Sequence, residues 1–312
     1  MPGFEHRPVM LQEVVAALEP KPGGRYVDAT LGGAGHAAAI LDASSPNGWL
    51  FGCDRDGAAV EAAARRLAPF TGRFELRQGN FADLAEWLPG ASCDGVLMDL
   101  GVSSPQLDRA ERGFSFQRDG PLDMRMDARQ SLTAAELLNT AEPDDLARIF
   151  WELGGERNGR RFARAIAAER EHRPFVSTRQ LAALIERLAP RMGKQKHPAT
   201  RVFQALRMAV NDEIGSLQKG LAAAVTLLRP NARLAVITFH SLEDRVVKDF
   251  GRAATRDYTF TGPVDVPELR QPRQPELKWV KRKAVVPGEA ELADNPRSRS
   301  AQLRVLEKCG GC

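Results

Sequence analysis

Short apolar segments alternate with helical segments along residues 25–100, and this alternation constrains the fold more than any other feature of the sequence. Strands are predicted at Arg25–Ala29, Trp49–Asp54, Phe74–Gln78 and Cys93–Leu100, and helices at Gly35–Leu41 and Ala58–Leu67. In such an order each helix carries the chain back across the sheet by a right-handed crossover, so that successive strands lie parallel. The pattern therefore predicts an α/β fold built on a parallel sheet.

The alternation stops near Leu107 and resumes near residue 211. Five helical patterns without a convincing strand lie between these points: Thr133–Asn139, Pro143–Leu153, Arg160–Arg170, Thr178–Leu188 and Thr200–Val210. Thr133 followed by Glu136 is typical of a capping box at the start of the first helix. A helical stretch enclosed by two halves of one sheet is an insertion. We therefore expect residues 1–106 and 211–312 to form one discontinuous domain and residues 107–210 to form an inserted helical domain.

The sheet is expected to continue after the insertion. A helix is predicted at Asp212–Leu228 and a strong strand at Ala232–Phe239, followed by weaker strands at Lys278–Lys283 and Gln302–Leu306. The segment Gly262–Pro275 holds four prolines and is predicted to be a surface loop. The second half of the sheet thus comes from the C-terminal part of the chain.

Positive charge is concentrated in the predicted insertion. The whole chain has 44 Lys and Arg against 40 Asp and Glu, a net charge of +4. Arg157–Arg207 alone holds 13 Lys and Arg and three acidic residues, Glu169, Glu171 and Glu186. Charged runs often form ordinary solvated helix faces, but the acidic residues that would balance such a face are largely missing here. A polyanionic partner is therefore the better interpretation.

The sequence predicts a soluble, cytoplasmic protein. No run approaches the roughly 20 apolar residues of a membrane span, and the start of the chain does not resemble a signal peptide. Cys53 and Cys93 lie in apolar, strand-like segments and are expected to pack as small hydrophobic residues. Cys309 and Cys312 form a CxxC whose two thiols alone do not complete a zinc site, so no metal site is expected.

A glycine-rich turn, Asp28–His36, follows the first predicted strand. Glycines there allow a ligand to approach the backbone, and Gly33–Ala38 matches the dinucleotide pattern GxGxxA, so a nicotinamide enzyme is one alternative. A carboxylate at Asp28 would repel a pyrophosphate, however, and would attract the ammonium of a methionyl group. S-adenosylmethionine also explains Asp54, placed to bind ribose hydroxyls, and the polar segment Gly79–Asp83, placed to flank an adenine.

Each of these residues also has a simpler interpretation. Asp28 and Asp54 could cap the helices that follow them, and His36 could be a partly buried helix residue. Ligands bind at the carboxyl ends of strands in such sheets, however, and here polar groups follow three strands in turn. We therefore interpret these positions as an S-adenosylmethionine site.

Longer motifs connect the chain to a known family. They are Glu5–Met10 (EHRPVM), Met98–Asp108 (MDLGVSSPQLD), Arg112–Phe116 (RGFSF), Asp119–Asp127 (DGPLDMRMD), His197–Arg207 (HPATRVFQALR), Phe239–Arg245 (FHSLEDR) and Asn295–Ser300 (NPRSRS). Together they closely resemble the bacterial 16S ribosomal RNA cytosine-N4 methyltransferase family, known as RsmH or MraW. The resemblance covers nearly the whole chain, and motifs this long and numerous are far more specific than GxGxxA.

The resemblance implies a class I S-adenosylmethionine-dependent methyltransferase, with a Rossmann-like sheet and a helical substrate-recognition insertion. It implies methylation of the N4 amino group of a specific cytidine in the decoding region of 16S ribosomal RNA, with the small ribosomal subunit as partner. By motif matching, the cofactor contacts fall on Ala34, Gly35, His36, Asp54, Phe81, Asp99 and Gln106. The family's usual Gly-Gly-His is Ala34-Gly35-His36 here, which is tolerable if φ at Ala34 is negative. Gly155, Asn158 and Gly159 are expected to loosen a helical stretch of the insertion.

An exocyclic cytosine amine is a poor nucleophile, because its lone pair is delocalised into the ring. Its methylation needs an acceptor that holds the amino hydrogens, and Asp99, at the end of the fourth strand, is the candidate catalytic residue. Asp99 could alternatively only orient the cofactor. Many amino methyltransferases have an Asp/Asn-Pro-Pro-aromatic motif at this point, whereas this chain has Asp99-Leu-Gly-Val102. An aromatic wall must therefore come from elsewhere, with Phe114, Phe116 and His240 as candidates.

Further side chains are candidates for binding the substrate. Arg201 and Arg207 lie at helical spacing and would meet phosphates on one face, although ordinary surface or salt-bridged positions are an equal alternative. His240 follows a predicted strand, and a role in the pocket is favoured over core packing. An internal ion-pair cluster is expected at Asp123, Arg125 and Asp127. The rival classes are a nicotinamide oxidoreductase and a non-catalytic RNA-binding protein on a methyltransferase scaffold.

Overall fold

The computed structural model describes residues 8–190, 197–261 and 264–310. Several residues named above lie outside this part of the chain: Glu5–Arg7 of the first motif, the basic residues Arg191, Lys194 and Lys196, the first two residues of the predicted loop, and Cys312. The chain divides into two compact units, residues 1–101 with 214–312 and residues 102–213. The first unit is discontinuous in sequence, and the second is continuous.

The described residues form nine strands and thirteen helices. The strands are β1 (Arg25–Asp28), β2 (Trp49–Asp54), β3 (Phe74–Gln78), β4 (Cys93–Asp99), β5 (Leu228–Thr238), β6 (Tyr258–Phe260), β7 (Arg270–Pro272), β8 (Leu277–Trp279) and β9 (Gln302–Lys308). The helices are α1 (Leu11–Leu18), α2 (Gly35–Ala43), α3 (Gly57–Leu67), α4 (Leu84–Trp87), α5 (Ser104–Asp108), α6 (Ala134–Thr140), α7 (Pro143–Glu152), α8 (Gly159–Arg170), α9 (Thr178–Leu188), α10 (Ala199–Val210), α11 (Glu213–Leu227), α12 (Ser241–Ala254) and α13 (Glu289–Asp294).

The first unit is built on a seven-stranded sheet of order β3-β2-β1-β4-β5-β9-β8. The first five strands are parallel, as predicted. β9 is antiparallel to both of its neighbours, so β8 runs in the same direction as the first five strands. The sheet is therefore mixed, with a single reversed strand one place from its edge.

Both faces of this sheet are buried. Val96, Met98 and Val236 belong to one apolar cluster, whereas Leu97 and Ile237, which alternate with them along β4 and β5, belong to another. A strand that is buried on both faces has no position that must be polar, so it appears in sequence as a continuous apolar run. This is why β4 and β5 were predictable from sequence.

One predicted loop of the first unit contains a strand. The prediction of a surface loop at Gly262–Pro275 is wrong for Arg270–Pro272, which forms β7 and pairs antiparallel with β6. The Tyr258 hydroxyl donates to Asp265 at 2.7 Å, and the Arg270 guanidinium pairs with the same carboxylate at 2.8 Å. The guanidinium also lies 4.2 Å from the centre of the Tyr258 ring. These side-chain contacts stabilise a short hairpin that proline content alone does not reveal.

The second unit is helical around its own apolar cluster. Leu146 and Phe150 of α7 pack in this cluster with Phe162 and Ile166 of α8. The side chain of Thr133 accepts the Glu136 N–H at 3.1 Å and so caps α6. Within the described residues of this unit, extended pairing is confined to a single bridge. No helix in the described part of the chain is long and apolar enough to cross a membrane.

Candidate active site

Three strands of the sheet end in aspartate. Asp28, Asp54 and Asp99 are the last residues of β1, β2 and β4. β1 lies between the other two strands, and its register pairs Asp28 with Gly52 on one side and with Leu97 on the other. Because parallel strands end at the same edge of a sheet, the structure brings these three carboxyl groups side by side.

Asp28 is a buried carboxyl group with an unused acceptor. The residue is 1% exposed, its Oδ1 accepts the Thr30 N–H at 3.2 Å, and its Oδ2 has no partner among the described residues. Burial raises the pKa of Asp28 to about 7, the N–H groups of Thr30 and Ala37 oppose the rise, and the charge of Asp54 adds to it. An unpaired buried acceptor costs about 1–3 kcal/mol. A cationic group such as an ammonium would therefore be bound favourably here.

Asp54 anchors the glycine-rich turn. Its Oδ2 accepts the Gly32 N–H and its Oδ1 accepts the Asp56 N–H, both at 2.9 Å. Asp56, not Asp54, caps the helix that follows, because the Asp56 side chain accepts the Ala58 N–H at 3.1 Å. Burial raises the pKa of Asp54 to about 6 against the effect of the two N–H groups. Each carboxylate oxygen has a second lone pair, which suits a pair of ribose hydroxyls.

The turn between β1 and α2 is tight. Ala34 has a φ of 55°, so the condition under which alanine would be tolerated without strain, a negative φ, is not met. Its N–H closes the turn by donating to the Leu31 carbonyl at 2.6 Å, and the residue is fully buried. A residue other than glycine in this left-handed region costs roughly 1–2 kcal/mol. Gly35 leaves no room for a side chain, because a Cβ there would lie 2.1 Å from Cγ of Pro8.

Asp99 carries a second unused acceptor. Its backbone N–H donates to Oγ1 of Thr30 at 2.7 Å, and its buried Oδ1 has no partner among the described residues. Burial raises the pKa of Asp99 well above its usual range, and the charges of Asp28, Glu243 and Glu291 raise it further. The side chain as a whole keeps 21% of its surface exposed. Asp99 is thus an acceptor that the described protein donors leave unbound and that a ligand can approach.

His36 connects the turn to Asp99. Its Nε2 lies 2.9 Å from the Val9 carbonyl oxygen, and its Nδ1 lies 3.7 Å from Oδ2 of Asp99. The residue is 5% exposed and belongs to the first turn of α2. A carbonyl oxygen accepts hydrogen bonds and never donates one, so Nε2 carries a proton. The expectation of a buried helix residue is met, and contact with a cofactor stays a prediction.

The segment after β3 presents an aromatic ring. Asn80 fixes the segment by donating from Nδ2 to Oγ of Ser216 at 3.0 Å. Phe81 lies against α11, where a Cβ added to Gly220 would be 2.3 Å from Cδ2 of the ring. The ring is therefore held by close packing and remains partly exposed. This arrangement suits stacking against an adenine.

His240 lies just beyond β5, whose register pairs Ile237 with Asp99. It therefore lies at the same end of the sheet as the three aspartates. The Nδ1 of His240 accepts the Glu243 N–H at 3.4 Å, which caps α12, and its Nε2 is 3.0 Å from Oε1 of Glu243. Glu243 is 3% exposed, and its Oε2 accepts the Phe239 N–H at 2.8 Å. These contacts fix the imidazole in one orientation.

The remaining predicted site residues lie in the second unit. Gln106 is buried, and its Oε1 accepts the Ser103 N–H at 2.9 Å in the capping box of α5. Arg207 forms a bidentate ion pair with Glu213, with both N–O distances 2.7 Å and both side chains largely buried. Arg201 is exposed and donates to a backbone carbonyl at 3.3 Å. Arg201 therefore suits a phosphate contact better than Arg207, for which the salt-bridged alternative describes the structure.

Two of the aromatic candidates are packed inside the second unit. Phe116 contacts the rings of His197 and Phe203, with centroid distances of 4.5 and 4.9 Å. Phe114 is 7% exposed and belongs to the apolar cluster of the unit. Neither ring is a large exposed surface, so His240 is the candidate whose position at the end of the sheet fits best.

The predicted ion-pair cluster contains two ion pairs between near neighbours in sequence. Asp123 pairs with Arg125 at 2.7 Å, as expected. Asp127 pairs at 2.7 Å with Arg129, which was not predicted. Both pairs join residues two positions apart, so they stabilise the local loop.

Three groups that shape the site were not predicted: Thr30, Glu243 and Glu291. Thr30 and Glu243 lie inside the motifs at residues 28–36 and 239–245. Their segments were therefore recognisable in the sequence, although neither residue was assigned a role. Glu291 accepts the Met10 N–H at 2.8 Å through Oε1. It comes from a short helix near the C-terminus, and no local pattern identifies it.

A parallel sheet with one reversed strand near its edge, and carboxylates at the ends of β1 and β2 beside a tight glycine turn, define a class I S-adenosylmethionine-dependent methyltransferase. The sequence profile of the MraW methylase family matches residues 3–309. The chain belongs to the MraW methylase family. The cofactor is therefore S-adenosylmethionine, and the alternative of a nicotinamide oxidoreductase is excluded.

Relatives resemble the chain along its whole length. The ribosomal RNA small subunit methyltransferase H of Geobacter sulfurreducens is 51% identical over 310 residues, which are 98% of this chain and 99% of that protein. The protein of the same name from Syntrophotalea carbinolica is 50% identical over 311 residues, 98% of each chain. That of Symbiobacterium thermophilum is 50% identical over 311 residues, 98% of this chain and 97% of the relative.

Proposed function

We propose that this protein methylates the N4 amino group of a specific cytidine in the decoding region of 16S ribosomal RNA, within the small subunit. One observation carries the proposal: Oδ1 of Asp99 is a buried acceptor without a donor among the described residues, at the end of β4. An amino group supplies the hydrogen that such an acceptor needs. The relatives that are named as small-subunit ribosomal RNA methyltransferases support the choice of RNA.

The residues at the strand ends fit the cofactor. Oδ2 of Asp28 would accept from the ammonium of the methionyl group, and Asp54 would accept from the ribose hydroxyls. Phe81 would stack on the adenine, and the turn Ala34–His36 would pass close to the bound molecule. Bound S-adenosylmethionine supplies an electrophilic methyl group. Because Asp28, Asp54 and Asp99 concentrate negative charge here, a cationic sulfonium is favoured over a neutral ligand.

Asp99 acts on the acceptor amine. Its carboxylate accepts an amino hydrogen, which reduces delocalisation of the nitrogen lone pair into the ring and orients that lone pair for attack. The same oxygen takes up the proton that the amine loses after the methyl group is transferred. The raised pKa of Asp99 makes this carboxylate a stronger base than an exposed aspartate. Assistance of this kind is typically worth roughly 10²–10⁴ in rate.

The proposed substrate contacts complete the assignment. Arg201 would bind a phosphate, His240 would contact the target base, and Gln106 would order the segment after β4. Arg207 would act indirectly, because its guanidinium is already bound by Glu213. We assign RNA recognition to the helical domain at residues 107–210, whose basic side chains match a polyanion. A ribosomal RNA substrate implies that the protein acts in the cytoplasm.

Mass spectrometry of nucleosides tests the reaction. The protein is incubated with S-adenosylmethionine and either free 16S RNA or small subunits that lack the modification, and the RNA is digested to nucleosides. N4-methylcytidine is the expected product. A methyl group on C5 or on a ribose oxygen would show that the acceptor is wrong. The comparison of free RNA with particles identifies the form of the substrate.

An Asp99→Asn variant tests the role of Asp99. The amide keeps the shape but directs a donor at the cytosine amine, so the single-turnover rate should fall by about 10²–10⁴. The affinity for S-adenosylmethionine, measured by calorimetry, should change far less. If rate and affinity fall by the same factor, Asp99 only orients the cofactor.

A further inference from the structure

Trp151 exposes a large aromatic surface at the end of α7. The residue is 61% exposed, and among the described residues it is the one aromatic side chain in the set of large exposed hydrophobics. The opposite side of α7 buries Leu146 and Phe150 in the core. The helix is thus amphipathic, and the indole lies on its solvent-exposed face, outside the core that stabilises the fold. Single exposed aliphatic residues are common, but an exposed tryptophan side chain is typical of a binding surface.

Arginines without ion pairs lie on the neighbouring helix. Arg160, Arg161 and Arg164 are exposed on α8, and Arg157 is exposed just before it. None of the four side chains has an ion pair or hydrogen bond within residues 8–190, 197–261 and 264–310, whereas the side chain of Arg187 of α9 pairs with Glu169 at 3.0 Å. Spacings of three and four residues place such side chains on one face of a helix.

These arginines do not stabilise the N-terminal end of α8. The first turn of α8 has no acidic residue, and its N-cap residue Asn158 makes no side-chain capping bond. Arg160 and Arg161 therefore add positive charge to the positive end of the helix dipole, which is an unfavourable arrangement. A bound polyanion would reverse the sign of this contribution.

The tryptophan and the arginines are close together. Gly159, which precedes Arg160, packs on α7, because a Cβ added to it would lie 3.7 Å from the backbone nitrogen of Trp151. The turn between the helices also contacts α10, where Arg201 donates to the Gly155 carbonyl at 3.3 Å. We refer to Trp151, Arg157, Arg160, Arg161 and Arg201 as the Trp151 surface. Glu152 is exposed beside Trp151, and Asp144 and Asp145 are exposed at the other end of α7, so the four arginines outnumber the acids.

We propose that the Trp151 surface binds a single-stranded segment of the RNA substrate, with one base stacked on Trp151 and neighbouring phosphates bound by the arginines. A flat indole beside several cations matches an unpaired nucleotide, which offers a ring face and a phosphate within a few ångströms. In duplex RNA the faces of the bases are stacked inside the helix, so a duplex would contact the arginines but not the indole. The inference rests on the proposed function for the identity of the RNA, and it adds the residues that hold the strand.

Tryptophan fluorescence and anisotropy test the contact directly. Full-length protein is titrated with a single-stranded RNA oligonucleotide and with a duplex of the same length. The emission of Trp151 should be quenched by the single strand, and a Trp151→Phe variant should lose this part of the quenching while still binding. Trp151→Ala should weaken binding of the single strand by roughly 5- to 150-fold, the scale of one stacked base. Binding of the duplex should not change.

The arginines are tested by salt dependence. The double variant Arg160→Gln with Arg161→Gln should lower the slope of log affinity against log salt by about 0.7 for each phosphate released. Arg187→Gln is the matched control, because it removes an exposed arginine of the same unit that is paired with an acid. Its slope should equal that of the unmodified protein. Circular dichroism confirms that each variant is folded.

The outcomes separate this inference from the proposed function. If Trp151→Ala binds the single strand as tightly as the unmodified protein, the Trp151 surface is not the binding site, whatever the methylation assay shows. The same conclusion follows if both nucleic acids lose affinity equally. If the unmodified protein produces no N4-methylcytidine but its single-strand binding depends on Trp151, the proposed function fails and the inference stands.

Discussion

The imidazole of His36 lies between the Val9 carbonyl, 2.9 Å from Nε2, and the Asp99 carboxylate, 3.7 Å from Nδ1. Because the carbonyl requires the proton on Nε2, a neutral imidazole presents a lone pair at Nδ1 toward Asp99. Two acceptors that face each other repel, so an additional proton between His36 and Asp99 is stabilised. His36 therefore influences the ionisation of the carboxyl group that we propose as the acceptor.

Replacing His36 with phenylalanine should move the acidic limb of the pH–rate profile to lower pH. Asp99 accepts a hydrogen only when it is ionised, and burial already raises its pKa. Phenylalanine has no lone pair facing the carboxylate, so the ionised form of Asp99 loses a repulsive neighbour, its pKa falls, and activity persists to more acidic pH. kcat/KM measured against pH checks this shift, with His172→Phe, an exposed position, as the control. An unmoved limb with a lower maximum would mean that His36 acts only in packing.

Asp28→Asn should stabilise the protein without cofactor and weaken the binding of S-adenosylmethionine. The pKa of Asp28 is raised from 3.8 to about 7, so ionising this side chain destabilises the folded state. The cost appears as the pH rises above the unfolded pKa of 3.8 and is complete above the folded pKa of about 7. The variant should therefore gain up to about 4 kcal/mol at pH ~8 and much less at pH ~4. Urea denaturation at the two pH values measures the difference. An equal gain at both would contradict the assigned ionisation.

The same pKa predicts how affinity depends on pH. An ammonium binds the ionised form of Asp28, so the dissociation constant of S-adenosylmethionine should rise as the pH falls below about 7. Calorimetry across this range measures the effect, and binding should release protons to the buffer near neutral pH. Asp28→Asn should remove this part of the pH dependence.

Asp54→Asn should weaken the binding of S-adenosylmethionine by about 1.5–3 kcal/mol, the scale of hydrogen bonds to a charged group. The amide keeps one of the two acceptors that hold the Gly32 and Asp56 N–H groups, so the turn is disturbed less than in an alanine variant. Isothermal titration gives the affinity. Asp56→Asn is the control, since asparagine is an equally good cap for α3. A folded Asp54 variant with an unchanged dissociation constant would remove Asp54 from the site.

Arg201 and Arg207 should behave differently although they lie on one helix. Arg207→Ala leaves Glu213 buried without its partner, which should cost about 3–5 kcal/mol of stability. Arg201→Ala removes an exposed guanidinium, so stability should stay nearly constant and the salt dependence of RNA binding should weaken. Thermal denaturation and salt titrations measure the two effects. Equal loss of stability in both variants would contradict the assignment.

The central strands were predictable because burial on both faces leaves a strong signal. Trp49–Asp54 matches the buried strand β2 residue for residue. Phe74–Gln78 matches the edge strand β3, whose residues alternate in exposure, and Thr178–Leu188 matches α9. The three aspartates were also placed correctly at strand ends, because the end of an apolar run is visible in sequence. The ligand that each aspartate binds stays a prediction.

Other features depend on residues that are distant in sequence. The direction of β9 is set by its pairing with β5, for example Leu303 with Ile237, which no local pattern encodes. The left-handed conformation of Ala34 is imposed by the closure of the turn, whereas its side chain alone favours a negative φ. Arg207 has the spacing of a surface residue, and only the fold shows Glu213 beside it.

The discontinuity of the first unit has a consequence for synthesis of the chain. β4 is completed at Asp99, but its neighbour β5 begins only at Leu228, after the whole of residues 102–213 has been made. A nascent chain therefore holds four strands with the edge of β4 unpaired while the ribosome translates the helical unit. That unit has its own apolar core and can close first, which shortens the distance over which β5 must find β4. β9, which follows β5 by more than sixty residues, pairs with β5 later still and completes the pairing of that strand.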